Sequence, residues 1–74
     1  MKEFNVAVVG ATGLVGRTMA RVLEERNFPL KNIYLLASSK SAGTKIKFHG
    51  EDVEVQDLEK ASFEDIDIAL FSAG

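Results

Sequence analysis

Three glycines in one short segment constrain the fold of this chain more than any other feature. Gly10, Gly13 and Gly16 are evenly spaced and follow the apolar, β-branched segment Phe4–Val9. A segment that is short and nearly all apolar is typical of a strand buried on both faces of a parallel sheet. The glycines therefore predict a tight turn out of that strand, and Gly10 permits the sharp change of direction.

An amphipathic pattern over residues 13–27 predicts a helix directly after the turn. Apolar side chains recur there at spacings of three and four, and they predict one buried stripe: Leu14, Val15, Met19, Val22 and Leu23. Pro29 marks the end of the helix, because proline cannot continue one. A second apolar segment, residues 32–37, predicts another buried strand, parallel to the first and joined to it by a right-handed crossover.

The rest of the chain predicts a loop, a hairpin and one more strand. Residues 38–44 are small and polar, which indicates a loop. Residues 45–48 and 52–55 alternate weakly in polarity, which favours a hairpin. Residues 62–65 fit a short capped turn, and residues 66–71 predict a third buried strand beside the first.

Charge and composition exclude several kinds of site. The net charge is −2, which argues against a nucleic-acid partner, since such proteins carry a basic stripe. There is no cysteine and only one histidine, so thiolate zinc sites, histidine metal clusters and Ser-His-Asp triads are not expected. His49 is expected to be exposed in the hairpin turn, with Glu51, Asp52 and Glu54 on a solvated face, so no metal ligand is assigned. No segment reaches the ~18 apolar residues of a membrane span.

The glycine turn and the start of the helix together predict an anion site. Gly13 has no side chain, so a pyrophosphate can approach the backbone there, and Gly16 lets the helix pack closely on the strand. The first helical amides are free, the helix dipole is positive at this end, and no acidic side chain fills the first turn. Thr12 is expected to cap the helix or to donate its hydroxyl to a phosphate. This context favours nucleotide binding, with a glycine turn used only for packing as the alternative.

A polar loop follows the second strand, where dinucleotide sites often carry an acid that binds the ribose hydroxyls. Four other residues stand there: Ser38, Ser39, Lys40 and Ser41. An acid would repel a 2′-phosphate, whereas hydroxyls and an ammonium group attract one. The loop therefore favours NADP over NAD, with a solvated loop as the alternative. Three small residues follow the third strand at the same edge of the sheet and leave room for an adenosine: Ser72, Ala73 and Gly74.

These elements predict an α/β fold with a partial Rossmann-type parallel sheet, made of a βαβ unit, a hairpin and a further strand. A buried parallel sheet needs helices on both faces, and this chain offers one full helix. We therefore expect residues 1–74 to be the N-terminal part of a larger NADP-binding domain, with the catalytic and dimerisation domain absent. The alternative is a complete mini-domain that dimerises through its open face.

Three blocks of sequence carry a family resemblance: residues 6–16 (VAVVGATGLVG), 36–43 (LASSKSAG) and 66–74 (IDIALFSAG). In this order they resemble the start of the bacterial aspartate-semialdehyde dehydrogenases. The related N-acetyl-glutamyl-phosphate reductases share the first block and part of the second. The match through the third block favours the semialdehyde enzymes, and a non-catalytic nucleotide-binding or interaction module remains the alternative from another class.

The resemblance implies a cytoplasmic oxidoreductase that uses NADPH to reduce L-aspartyl-4-phosphate to aspartate semialdehyde, on the route to lysine, threonine and methionine. It implies a homodimer or homotetramer. In the family, the turn matching Thr12, Gly13, Leu14 and Val15 holds the pyrophosphate, the loop matching Ser38–Ser41 holds the 2′-phosphate, and the segment matching residues 72–74 lies against the cofactor. The loop often carries arginine where this chain has Lys40, which offers a point charge but no bidentate fork. The family's nucleophilic cysteine and catalytic histidine have no match here, so no catalytic residue is assigned.

Overall fold

The central βαβ unit comprises strand β1 (Phe4–Val9), helix α1 (Leu14–Glu25) and strand β2 (Leu30–Ala37). In the computed structural model, which describes residues 2–71, this unit has the order and the parallel pairing that the sequence predicts. The helix ends two residues earlier than its pattern suggests, because Arg26 already leaves helical geometry and Asn27 has a positive φ of 50°. The second strand begins two residues earlier than predicted, at Leu30.

A hairpin and two short elements follow. Strands β3 (Lys45–Phe48) and β4 (Glu51–Glu54) pair antiparallel, and β4 begins one residue before its predicted start. Strand β5 (Gln56–Asp57) leads directly into a 3-10 helix (Leu58–Lys60), in which the Asp57 carboxylate accepts from the Glu59 N–H at 3.0 Å. Two residues carry no periodicity, so the local sequence does not predict β5.

Strand β6 (Ile68–Phe71) completes a four-stranded parallel sheet with the order β5-β2-β1-β6. Val6 lies opposite Ile33 of β2 and Ile68 of β6, so β1 is central, as expected from its apolar composition. The prediction that the third strand neighbours the first is confirmed. Because all four strands run the same way, the segments that follow β1 and β2 lie at one edge of the sheet.

The buried face of α1 differs from the predicted stripe. Gly16 and Ala20 are the buried residues of the helix, whereas Leu14 is 84% exposed, Val15 50% and Val22 42%. Met19 and Leu23, also in the predicted stripe, do pack on the core. The helix rotates its smallest residues toward the sheet because they permit the closest approach, and bulkier side chains are left at the sides.

The sheet carries an apolar cluster on each face. On the side of α1 the cluster is built from Val8, Leu35 and Val55, all fully buried. On the other side, Ala7, Val9 and Leu36 are covered by the segment around the 3-10 helix. That segment does not cover Phe71, which remains 66% exposed at the end of β6.

Candidate nucleotide-binding site

The turn between β1 and α1 is held against β2 by its own backbone. Gly10 has a φ of 84°, a region that glycine enters without steric cost. The N–H groups of Gly10 and Ala11 both donate to the carbonyl of Leu36, at 2.8 and 3.1 Å, and the N–H of Gly13 donates to the carbonyl of Gly10 at 3.1 Å. The predicted role of Gly10 in the exit from the strand is therefore confirmed.

The fold tolerates a side chain at position 13 but not at position 16. A Cβ on Gly16 would lie 2.1 Å from the Gly10 carbonyl oxygen and 2.8 Å from the Ala11 Cα, so any side chain would force the helix off the strand. A Cβ on Gly13 would lie 3.5 Å from the same oxygen, an ordinary contact. Gly13 is also exposed and has a φ of −77°. The fold therefore requires a glycine at position 16 but not at position 13, where an open backbone suits a ligand.

The first turn of α1 presents an open helix N-terminus. The residue at the cap position is Gly13, and the first turn contains no acidic residue. Among residues 2–71, no side chain caps the helix. The first amides of a helix have no partner within the helix, and they carry the positive end of its dipole. Leu14 and Val15 lie exposed beside them. An open helix N-terminus of this kind suits a phosphate group.

Thr12 does not cap the helix, so that part of its predicted role is wrong. A glycine occupies the cap position, and the Thr12 hydroxyl turns instead toward the loop after β2, where its Oγ1 donates to the Oγ of Ser41 at 3.4 Å. This contact joins the glycine turn to the polar loop after β2. The alternative role of Thr12, donation to a phosphate, stays a prediction.

The loop after β2 is an ordered turn rather than a free polar segment. The Ser38 carbonyl accepts from the N–H groups of Ser41 and Ala42, at 2.9 and 3.1 Å. Ser38, Ser39 and Lys40 are exposed, and Ser41 is half-buried beside Thr12. Within residues 2–71, Lys40 takes part in no ion pair. The loop thus offers hydroxyls and one ammonium group at the same edge of the sheet as the start of α1.

Other candidate residues lie away from this edge. His49 is exposed in the hairpin turn, with a φ of 51°, and no group of three metal-ligating side chains occurs among residues 2–71. A cavity of about 370 Å³ lies between α1 and β3 and does not include the glycine turn. Ser72, Ala73 and Gly74 lie outside the described residues. No helix in the part of the chain that the structure describes is long and apolar enough to cross a membrane.

The fold and the site together define a Rossmann-type dinucleotide-binding protein: a parallel βαβ unit with a glycine turn and an open helix N-terminus at the carboxyl edge of the sheet. A family model described as "Semialdehyde dehydrogenase, NAD binding domain" matches residues 5–74. The chain belongs to this family.

Several bacterial enzymes are similar to almost the whole chain. Aspartate-semialdehyde dehydrogenase of Legionella pneumophila is 53% identical over 73 residues, which are 99% of this chain and 21% of the relative. The enzyme of the same name from Bacillus subtilis is 54% identical, also over 73 residues, with the same coverage of 99% and 21%. The chain therefore spans about a fifth of the length of these relatives.

Solved structures agree with the sequence relatives. Aspartate semialdehyde dehydrogenase II of Vibrio cholerae, in a complex with ASA, superposes with a TM-score of 0.94 at 51% identity, covering 99% of this chain and 24% of that one. A probable aspartate-semialdehyde dehydrogenase from Pseudomonas aeruginosa gives a TM-score of 0.94 at 42% identity, covering 99% of this chain and 22% of that one. The expected resemblance and the expected Rossmann-type fold are both confirmed.

Proposed function

We propose that this chain is the N-terminal, cofactor-binding part of an NADPH-dependent aspartate-semialdehyde dehydrogenase. The enzyme would reduce L-aspartyl-4-phosphate to L-aspartate 4-semialdehyde with release of phosphate. The names of the relatives support this activity. The proposal extends to a cytoplasmic homodimer or homotetramer, whose catalytic residues are supplied by the rest of the enzyme.

The observation that carries the proposal is the contact between Thr12 and Ser41, which brings two anion-attracting segments together. One is the open N-terminus of α1, which suits a pyrophosphate because its amides are free and its dipole is positive. The other is the loop with Ser38, Ser39 and Lys40, which suits the 2′-phosphate. NADPH carries both anions, the pyrophosphate and the 2′-phosphate on its adenosine ribose.

Each group of residues has a separate task in this proposal. The residues from Gly10 to Gly16 bind and orient the pyrophosphate, with Gly13 leaving the backbone open to it. The residues from Ser38 to Ser41 distinguish NADPH from NADH by contact with the 2′-phosphate. Residues 72–74 would lie against the cofactor. When bound, the nicotinamide would supply the hydride that reduces the acyl group, and these residues would position the cofactor without taking part in bond making.

Substitution of Lys40 tests the choice of cofactor. We expect Lys40→Ala in the full-length enzyme to weaken NADPH binding by roughly ten- to a hundredfold, since a hydrogen bond to a charged group contributes about 1.5–3 kcal/mol. NADH binding should be nearly unchanged, because NADH lacks the 2′-phosphate. Lys40→Glu should go further, since its carboxylate repels that phosphate. The measurement is titration of each variant with both cofactors.

Gly13→Val is the matched control for the Lys40 variants. It should weaken both cofactors alike, because the added side chain blocks the pyrophosphate that they share. If Lys40→Ala weakens NADPH and NADH equally, the loop does not recognise the 2′-phosphate, and the proposed cofactor preference is wrong.

A further inference from the structure

The side chain of Glu24 joins helix α1 to the tip of the β3–β4 hairpin. Glu24 is half-buried near the end of α1, and its Oε2 accepts a hydrogen bond from the backbone N–H of His49. His49 and Gly50 form the two-residue hairpin turn, with φ values of 51° and 80°. Both positive values are typical of the tight turns that connect paired strands. The bond therefore fixes the backbone of the turn itself.

Apolar packing and one hydrogen bond hold the hairpin against the helix and the core. A cavity of about 370 Å³ opens between α1 and β3, and Glu24 lines it together with Arg17 and Arg21 of the helix. Among the described residues, the bond from His49 to Glu24 is the hydrogen bond that connects α1 with the hairpin. The inner side of the hairpin packs on the core through Ile46 and Val53. Apolar contacts thus hold the hairpin as far as Phe48, which is buried, and the bond to Glu24 fixes the turn that follows it.

The base of the same hairpin holds the loop after β2. The N–H of Gly43 donates to the carbonyl of Val55 at 2.8 Å, and the N–H of Val55 donates to the carbonyl of Thr44 at 2.7 Å. Val55 is fully buried, so this base is anchored in the core. Residues 38–44 are therefore attached at three places: to β2, to Thr12 through Ser41, and to the hairpin.

We infer that Glu24 is a positioning residue for NADPH selectivity. By fixing the hairpin tip on α1, it restricts the hairpin and, through Val55, the loop with Ser38–Ser41. The inference rests on the proposed function, because it assigns that loop to the 2′-phosphate. Among the described residues, the backbone of the glycine turn is bonded to β2 and not to the hairpin, so Glu24 should affect the pyrophosphate site less than it affects the loop.

The experiment compares four variants of the full-length enzyme, each titrated with NADPH and with NADH. Glu24→Ala removes the acceptor and should raise the Kd for NADPH by roughly three- to tenfold, the range of one ordinary hydrogen bond. The Kd for NADH should change by less than about twofold on the same scale. Glu24→Gln keeps an acceptor oxygen and should restore most of the NADPH affinity.

Two further variants distinguish the effect of the hydrogen bond on NADPH binding from the effects of lost charge and of misfolding. Glu25→Ala removes the same charge from the next, exposed position of α1 and should leave NADPH binding equal or slightly tighter. Glu24→Asp keeps the charge but withdraws the oxygen by one methylene, so it should repeat the selective loss even if Glu24→Ala fails to fold. Normal NADPH affinity in Glu24→Asp would overturn the inference, as would equal weakening of both cofactors.

The outcome also distinguishes this inference from the function on which it rests. A wild-type enzyme without a preference for NADPH would overturn the proposed cofactor and the inference with it. A wild-type preference that persists unchanged in Glu24→Ala would overturn the inference alone.

Discussion

At the scale of single residues, two glycines of one motif have separable physical roles. Gly16 is required by the fold, because a side chain there would collide with the backbone of Gly10 and Ala11. Gly13 has room for a methyl group and an ordinary φ. The even spacing of the motif conceals this difference, which becomes visible only when the helix is placed on the strand.

Alanine substitutions at Gly16 and Gly13 should affect different properties, stability in the first case and cofactor binding in the second. Gly16→Ala should lower the free energy of unfolding by about 1–3 kcal/mol or more, the usual cost of overpacking, because backbone atoms of the turn cannot move aside cheaply. Gly13→Ala should leave the melting temperature nearly unchanged while weakening NADPH and NADH together. Thermal melts without cofactor, followed by titrations, provide the measurement. Equal melting temperatures for both variants would contradict the assignment.

At the scale of elements, the hairpin turn depends on positive φ values at His49 and Gly50. Nothing lies within 4 Å of the position that a Cβ on Gly50 would occupy, so a side chain there costs backbone strain and not a collision. The hairpin carries the loop after β2 at its base. A disturbed turn would therefore affect an element that lies close to the proposed site.

Gly50→Ala should destabilise the protein by about 1–2 kcal/mol, the cost of a left-handed conformation for a residue with a Cβ. Gly50→Asn should cost less, because asparagine tolerates this conformation through local hydrogen bonds. Urea midpoints of the two variants, compared with the wild type, would measure the effect. If Gly50→Asn destabilises the protein as much as Gly50→Ala, lack of space rather than backbone conformation limits the residue at this position.

At the scale of the whole molecule, the edge of the sheet at β6 remains open within residues 2–71. Phe71 is 66% exposed, and β6 is an edge strand that pairs only with β1 in the described part of the chain. Edge strands with exposed apolar side chains pair readily with other chains. A protein of 74 residues also buries only about 60% of its unfolded-chain surface, so its stability is modest.

The 74-residue chain on its own should therefore self-associate. In sedimentation experiments the average mass should rise with concentration, and Phe71→Lys should return it toward the monomer. Val22→Lys is the control, because Val22 is also an exposed apolar residue but lies on α1, away from β6. A compact monomer with a sharp, cooperative melt in the unchanged chain would contradict this expectation.

Much of the architecture could be predicted from local sequence, because the residue types within one segment determine much of its secondary structure and burial. The apolar, β-branched segment before Gly10 gave the bounds of β1 without error, and its burial on both faces implied the parallel sheet. The position of β6 beside β1 followed from the same reasoning. The two segments proposed to contact the cofactor were also identified from residue type and from their place after a strand.

Contacts between distant residues were decided by the tertiary structure alone. The apolar stripe of α1 pointed to Leu14 and Val22, but the close approach of Gly16 and Ala20 to the sheet turns those side chains outward. Strand β5 forms because Gln56 and Asp57 pair with the last two residues of β2. No local sequence pattern predicts a strand of two residues. The bonds from Thr12 to Ser41 and from His49 to Glu24 span 29 and 25 residues of the chain. Periodicity and composition describe what one segment prefers, whereas these contacts depend on how separate segments pack, and that is settled only when the whole sheet forms.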